Sequence, residues 1–212
     1  MTIPTTTPAK KPFILPNSAL EDAINFEWKS EKKYTPTNMP LTALAYTAID
    51  KISDKKADIV EVLMVYVDSD TLSYRATGSE KLKNLQEEKW GEVLKWAGSR
   101  FDVAWQTTDG VMPVDQSPLV HKIISRYLNS LDAWRLASFC VLSSGFSSLV
   151  LALAVVENHI TAEQAFAISR LEEEHQAEAW GRDKEADDRT EKMKTEILDA
   201  ERFLHLAGLT AN

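Results

Sequence analysis

The sequence predicts a mainly helical α+β protein, a small N-terminal β-containing domain packed on a multihelical C-terminal domain. Three observations carry this. Only 7 Gly and 8 Pro in 212 residues leave little for the turns of an all-β architecture. Long stretches are rich in Ala, Leu, Glu and Lys, residues that cost little in a helix. The apolar spacing switches to strict alternation only briefly, after residue 100, before helical spacing resumes.

In order along the chain, residues 1–17 read as an extended lead-in rich in Thr and Pro. Asn17 or Ser18 can cap a helix over 18–32 with Leu20, Ile24 and Trp28 on one face. "YTPTNMP" breaks it, and residues 41–52 and 57–67 read as two further helices. "DSDT" at 68–71 is a turn, and "LSYRA" reads as a short strand. A long helix over 79–100 carries Leu82, Leu85, Trp90, Leu94 and Ala97. "FDVAWQ" then alternates Phe101, Val103 and Trp105 on one side, a half-buried strand, and Asp109-Gly110 turns it toward "VMPV" as a hairpin partner.

From Ser117 the pattern is helical throughout, over 117–130, 132–143, 147–157, 161–180 and 183–208. Thr161 and Gln164 have capping-box spacing. The last helix places Ala186, Thr190, Met193, Ile197, Ala200, Leu204 and Ala207 along a narrow seam with an acidic outer face. The change near residue 113 divides a mixed part, 1–113, from an all-helical part, 114–212.

Composition narrows function. With 44% hydrophobic and 26% charged residues, the chain reads as a soluble globular protein long enough for a real core. A net charge of −8 argues against a nucleic-acid partner, which needs a basic surface. Nearly all of the imbalance lies between residues 172 and 201, where 12 Asp or Glu face 5 Lys or Arg. The single cysteine, Cys140, sits among apolar residues and reads as a buried, inert thiol in a reducing compartment. Residues 2–16 lack the apolar core of a signal peptide. Residues 136–156 carry no charge over 21 positions, enough to raise a membrane span. "SSGFSS" at 143–148 interrupts them as a helix end and a capped helix start, so two short buried helices are the expectation, without a span.

The stretch "SRLEEEHQAEAWG" at 169–181 concentrates the candidate chemistry. Glu172 and His175 form one Glu-x-x-His step, the basis of a rival reading as a metal-carboxylate enzyme. A ferritin-like dinuclear site needs two such steps and two more glutamates, and no second step exists here. Acid-base catalysis by Glu172, Glu173, Glu174 and Glu178 needs one carboxylate set apart by its environment, and nothing in the sequence marks one. Phosphate-binding glycine motifs and a nucleophile elbow are also missing, so the expectation is no enzyme, no cofactor and no metal. The six tryptophans read mainly as core. Trp180, beside carboxylates and before Gly181, reads either as a partner anchor or as a plug between the last two helices with Gly181 as a left-handed cap. A protein-binding role is what remains, a generic scaffold included.

Six segments in register then resemble a known family: "TPAKKPFILPN" with "FEW", "MPLTALAYTAID", "DSDTLSYRA", "DGVMPV", "SLVLALAV" and "SRLEEEHQAEAWG". In these segments, and over about residues 8–207 in all, the chain resembles the chaperones that assemble F1-ATPase through its α subunit, the F1 complex assembly factor 2 family and its bacterial relatives. The resemblance implies an ATP-independent chaperone that binds the unassembled α subunit and masks its apolar interface until the β subunit replaces it. It implies partner-binding residues at Glu172, Glu173, Gln176, Glu178, Trp180 and Gly181, and a structural role for Trp28. It also implies a bacterial cytoplasmic or mitochondrial matrix location, and a monomer is the expected state. Members of this family usually begin with further β-strands. Only seven residues precede Pro8 here, so a reduced or shortened β part is expected.

Overall fold

A computed structural model describes residues 2–208. Ten α-helices among these residues build the fold, with one two-stranded parallel sheet. Core residues from Leu20 to Ala207 join in one hydrophobic cluster.

Helix α1 (Ser18–Ser30) starts where the Asn17 side chain accepts from the Leu20 N–H at 2.9 Å. Helix α2 (Pro40–Tyr46) has no side-chain cap of its own. The Glu27 carboxylate of α1 supplies one, accepting from the Leu41 and Thr42 N–H groups at 2.8 and 2.9 Å and from the Thr42 hydroxyl at 2.6 Å. This ties "FEW" to "MPLT" physically. The lead-in is not simply extended. Its chain folds back at Lys10, bridges Thr6 to Pro12, and is held to Asp50 by the Thr7 hydroxyl at 2.5 Å.

The two helices expected over 41–67 form one helical path. A π-helical segment, Thr47–Ile52, leads from α2 directly into α3 (Ser53–Met64), and a single 3-10 turn follows. No Gly or Pro falls between 47 and 67 to stop it. Within α3 the one residue outside helical φ/ψ is Lys55, whose φ of −126° and ψ of 27° kink the helix.

The hairpin expected over 101–114 is absent. Phe101 closes α4 (Glu80–Phe101), Asp102 takes a left-handed cap, and the chain runs back along α4. Gly98 permits this, because a Cβ there would meet the Val103 carbonyl oxygen at 2.9 Å. The alternation of burial is real, with Phe101 buried and Val103 and Trp105 half-buried, but this face packs on a helix. The Gln116 side chain takes the place of a strand neighbour, accepting from the Gln106 N–H and donating to the Gln106 carbonyl, both at 2.9 Å. The strands that do pair are β1 (Tyr74–Arg75) and β2 (Thr108–Asp109), in parallel. "VMPV" instead leaves Val111 and Met112 in solvent.

The remaining helices are α5 (Pro118–Ser130), α6 (Ala133–Phe146), α7 (Leu149–Val156), α8 (Ala162–Ser169), α9 (Leu171–Trp180) and α10 (Lys184–Leu206). The uncharged stretch 136–156 divides as expected: Ser147 ends α6 in a left-handed conformation and Ser148 caps α7. No helix among the described residues is long and apolar enough to cross a membrane. The Thr161–Gln164 capping box is formed. The seam of α10 is buried only toward its C-terminal end, at Ile197, Ala200 and Leu204, while Ala186 lies in solvent.

All eight residues of α7 are buried, so water cannot satisfy its first N–H groups. Asp70, fully buried in the turn before β1, does so. Its carboxylate accepts from the Val150 N–H at 2.9 Å, the Ser148 hydroxyl at 2.8 Å and the Leu72 N–H at 3.0 Å. Burial raises the pKa of this carboxyl above the ordinary aspartate value, against these hydrogen bonds, which lower it. Replacing Asp70 with Ala strands buried donors, and the expected cost is about 3 kcal/mol. Urea denaturation followed by circular dichroism checks it, as a lowered midpoint with an unchanged slope.

Candidate functional site

The segment 161–180 is two helices, not one. The Ser169 hydroxyl donates to the Phe166 carbonyl at 2.8 Å, and Arg170, with φ −100° and ψ 12°, turns the chain between α8 and α9. Arg170 then holds the elbow. Its guanidinium donates to the Gly145 carbonyl of α6 at 3.0 Å and to Glu173 at 2.8 Å, with the Phe166 ring 5.6 Å away. Trp90 of α4 adds a hydrogen bond from its indole N–H to the Ile168 carbonyl at 2.9 Å.

Beyond this elbow α9 projects. None of its residues is fully buried, and it rests on α4 and α8. Glu172, Glu173 and Glu174 occupy its first turn, where the exposed N–H groups favour negative charge. Three of its four glutamates have cation partners: Glu173 pairs with Arg170, Glu174 with Arg182, and Glu178 with Lys81 at 2.9 Å. The Lys81 hydrogen bond holds the Glu178 carboxyl below its usual range. Glu172 forms no ion pair among the described residues and meets only the Gln176 amide, at 3.4 Å.

The structure therefore places the six residues singled out in the sequence on one exposed helix and its end. Glu172 and Gln176 lie on a ridge between two clefts of about 300 and 420 Å³. Val111 of the exposed loop and His175 line the larger one, and Arg170 and Glu173 the smaller. Trp180 does not plug the junction of the last two helices: it is 88% exposed. Gly181 ends α9 at φ 90° and ψ 164°, a conformation glycine alone adopts at low cost and distinct from the left-handed helical cap. Glu172 and His175 have no third ligand, since no group of three His, Cys, Asp or Glu among the described residues could hold a metal ion. Cys140 is half-buried rather than enclosed, and burial pushes its thiol up to about 11.

Sequence reasoning missed Arg170. Its signal was present as a lone cation between an apolar helix and an acidic run, where a helix break and a counter-charge coincide. Replacing Arg170 with Ala removes both the α6 tether and the partner of Glu173. Amide hydrogen exchange over residues 171–180 is expected to speed up about tenfold, with the amides of α7 unchanged.

Comparison with known proteins agrees with this architecture. Residues 3–98 match the model of the family described as ATP12 chaperone protein. The mitochondrial protein atp12 of Schizosaccharomyces pombe is 29% identical over 154 residues, which are 68% of this chain and 53% of that protein. The matched region is thus about half the length of that curated relative. The crystal structure of Atp12 from Paracoccus denitrificans is 38% identical and superposes with a TM-score of 0.91 over 97% of this chain and 88% of that one. The Atu1473 protein of Agrobacterium tumefaciens is 33% identical, with a TM-score of 0.88 over 94% and 75% of the two chains. With this identity sustained over nearly the whole fold, the chain belongs to the ATP12 chaperone family.

Proposed function

We propose that this protein is an assembly chaperone for F1-ATPase that binds the unassembled α subunit and covers its apolar interface until the β subunit takes its place. The observation that carries the reading is the structural match to Atp12 over 97% of this chain at 38% identity. The resemblance of the six sequence segments supplies the partner. An unassembled subunit exposes apolar surface that invites aggregation, and reversible cover by a second protein removes that hazard without chemistry. The working location is a bacterial cytoplasm or a mitochondrial matrix, and the working form is a monomer.

Within this reading, α9 and Gly181 make the first contact, through Glu172, Glu173, Gln176, Glu178 and Trp180. Trp180 offers a large aromatic at an exposed helix end, the kind of residue that anchors interfaces. Glu172 offers a carboxylate with no cation partner among the described residues to displace. The acidic surface of α9 and α10 serves encounter rate and discrimination more than affinity.

Co-expression with α subunit alone tests the function: α is expected to stay soluble and co-purify in the absence of the β subunit. The site is tested by Glu172→Lys and Trp180→Ala. Each is expected to weaken capture of purified α subunit by about tenfold while leaving the thermal midpoint unchanged, because both side chains stand in solvent. Unaltered capture by both variants would refute the site.

A further inference from the structure

A chaperone of this kind must present apolar surface, and α9 offers little, since Trp180 is its one large apolar residue in solvent. The apolar surface lies elsewhere. Along α3 and the turn after it, Ile59, Val62, Leu63 and Tyr66 stand at helical spacing on one wall of a groove of about 670 Å³. Val62 and Tyr66 remain 60% and 54% exposed, so this stripe is amphipathic without a complete partner. The facing wall is the C-terminal end of α6, where Cys140 and Ser144, one turn apart, and the left-handed Ser147 that ends the helix present small side chains. Small residues on one wall and large ones on the other leave room for a backbone to approach closely, the arrangement that receives the apolar face of a helix.

The groove also connects to the proposed contact site. Thr71 and Ser147 line both this groove and the cleft formed by Arg170, Glu172 and Glu173. One partner seated on α9 can therefore continue into the groove without leaving the surface. We infer that the groove between α3 and the end of α6 receives an apolar helical segment of the same unassembled α subunit, with its large side chains against Val62 and Tyr66 and its backbone against Ser144. This rests on the chaperone reading above, and it adds the surface that does the covering.

The test uses purified full-length chain and purified α subunit. Val62→Lys puts a charge on the exposed rim, and Ser144→Phe fills the groove from a solvent-exposed position, so neither disturbs the core. Circular dichroism melting verifies the fold of each. The expected result is capture by the parent chain and capture weakened on the order of tenfold or more by each variant. A photo-crosslinker at position 66 is expected to label an apolar segment of α. Capture by the parent with equal capture by both variants would overturn the groove while leaving the chaperone reading intact. No capture by the parent would overturn both. A parent chain that elutes as a dimer, and that Ser144→Phe makes monomeric, would assign the groove to a second copy and also overturn the inference.

Discussion

A buried carboxylate at the start of a buried helix is the constraint on which this structure turns. Helix α7 has no solvent-facing side, so its first turn cannot use water. Asp70 brings an anion to N–H groups that need acceptors, and the positive end of the helix favours that charge. The same residue orders its own turn through the Leu72 N–H, and so fixes where β1 begins. Next to it, the Thr71 hydroxyl and N–H both reach the Ser147 carbonyl that ends α6. One short turn thus joins the first half of the chain to the centre of the second. Glu27 repeats the device at α2, where Leu41 and Thr42 would otherwise open a helix without a cap.

These fixed points leave a rigid body from which one element stands out. Helix α6 packs chiefly on α7 and α10, and Ser138 donates to the Ala200 carbonyl at 3.0 Å within that contact. Gly145 lies so close to Ile197 that a Cβ would meet it at 2.7 Å, which brings α6 and α10 together beneath the elbow. Arg170 reaches the Gly145 carbonyl from the other side, so the direction of α9 is set by the same crossing. An exposed acidic helix fixed at its root by Arg170 and farther along by Lys81 of α4 is a small surface that presents charge to solvent. In the proposed mechanism the groove beside it supplies the apolar area that steering alone lacks. The division of labour proposed here is charge for encounter and apolar contact for cover.

Much of this was legible in the residues. Helix starts marked by caps were legible at Asn17, within "SSGFSS" and at Thr161, because a cap is a local hydrogen bond between neighbours in sequence. The hairpin was misread because alternation reports which side chains face inward, not what they face. Phe101, Val103 and Trp105 alternate against α4, and Gln116 stands in for the missing strand. The break at Arg170 was hidden because both flanking segments have good helix formers, and the turn depends on Gly145, 25 residues away. The roles of Asp70 and Glu27 were out of reach for the same reason, since their partners lie 80 and 14 residues along the chain. The acidic stretch itself was found from composition and by resemblance, but its pairing was not. Only the folded geometry separates Glu172 from Glu173, Glu174 and Glu178, each held by a cation.

The action proposed for this molecule is to cover apolar surface, with no bond-making step. The most direct measurement is light scattering by purified F1 α subunit diluted from denaturant, with and without an equimolar amount of this chain and with no nucleotide present. Scattering is expected to be suppressed at equal stoichiometry and to stay low when β subunit is added and forms the α–β pair. Scattering that is the same with and without the chain, or suppression that requires ATP, would contradict it.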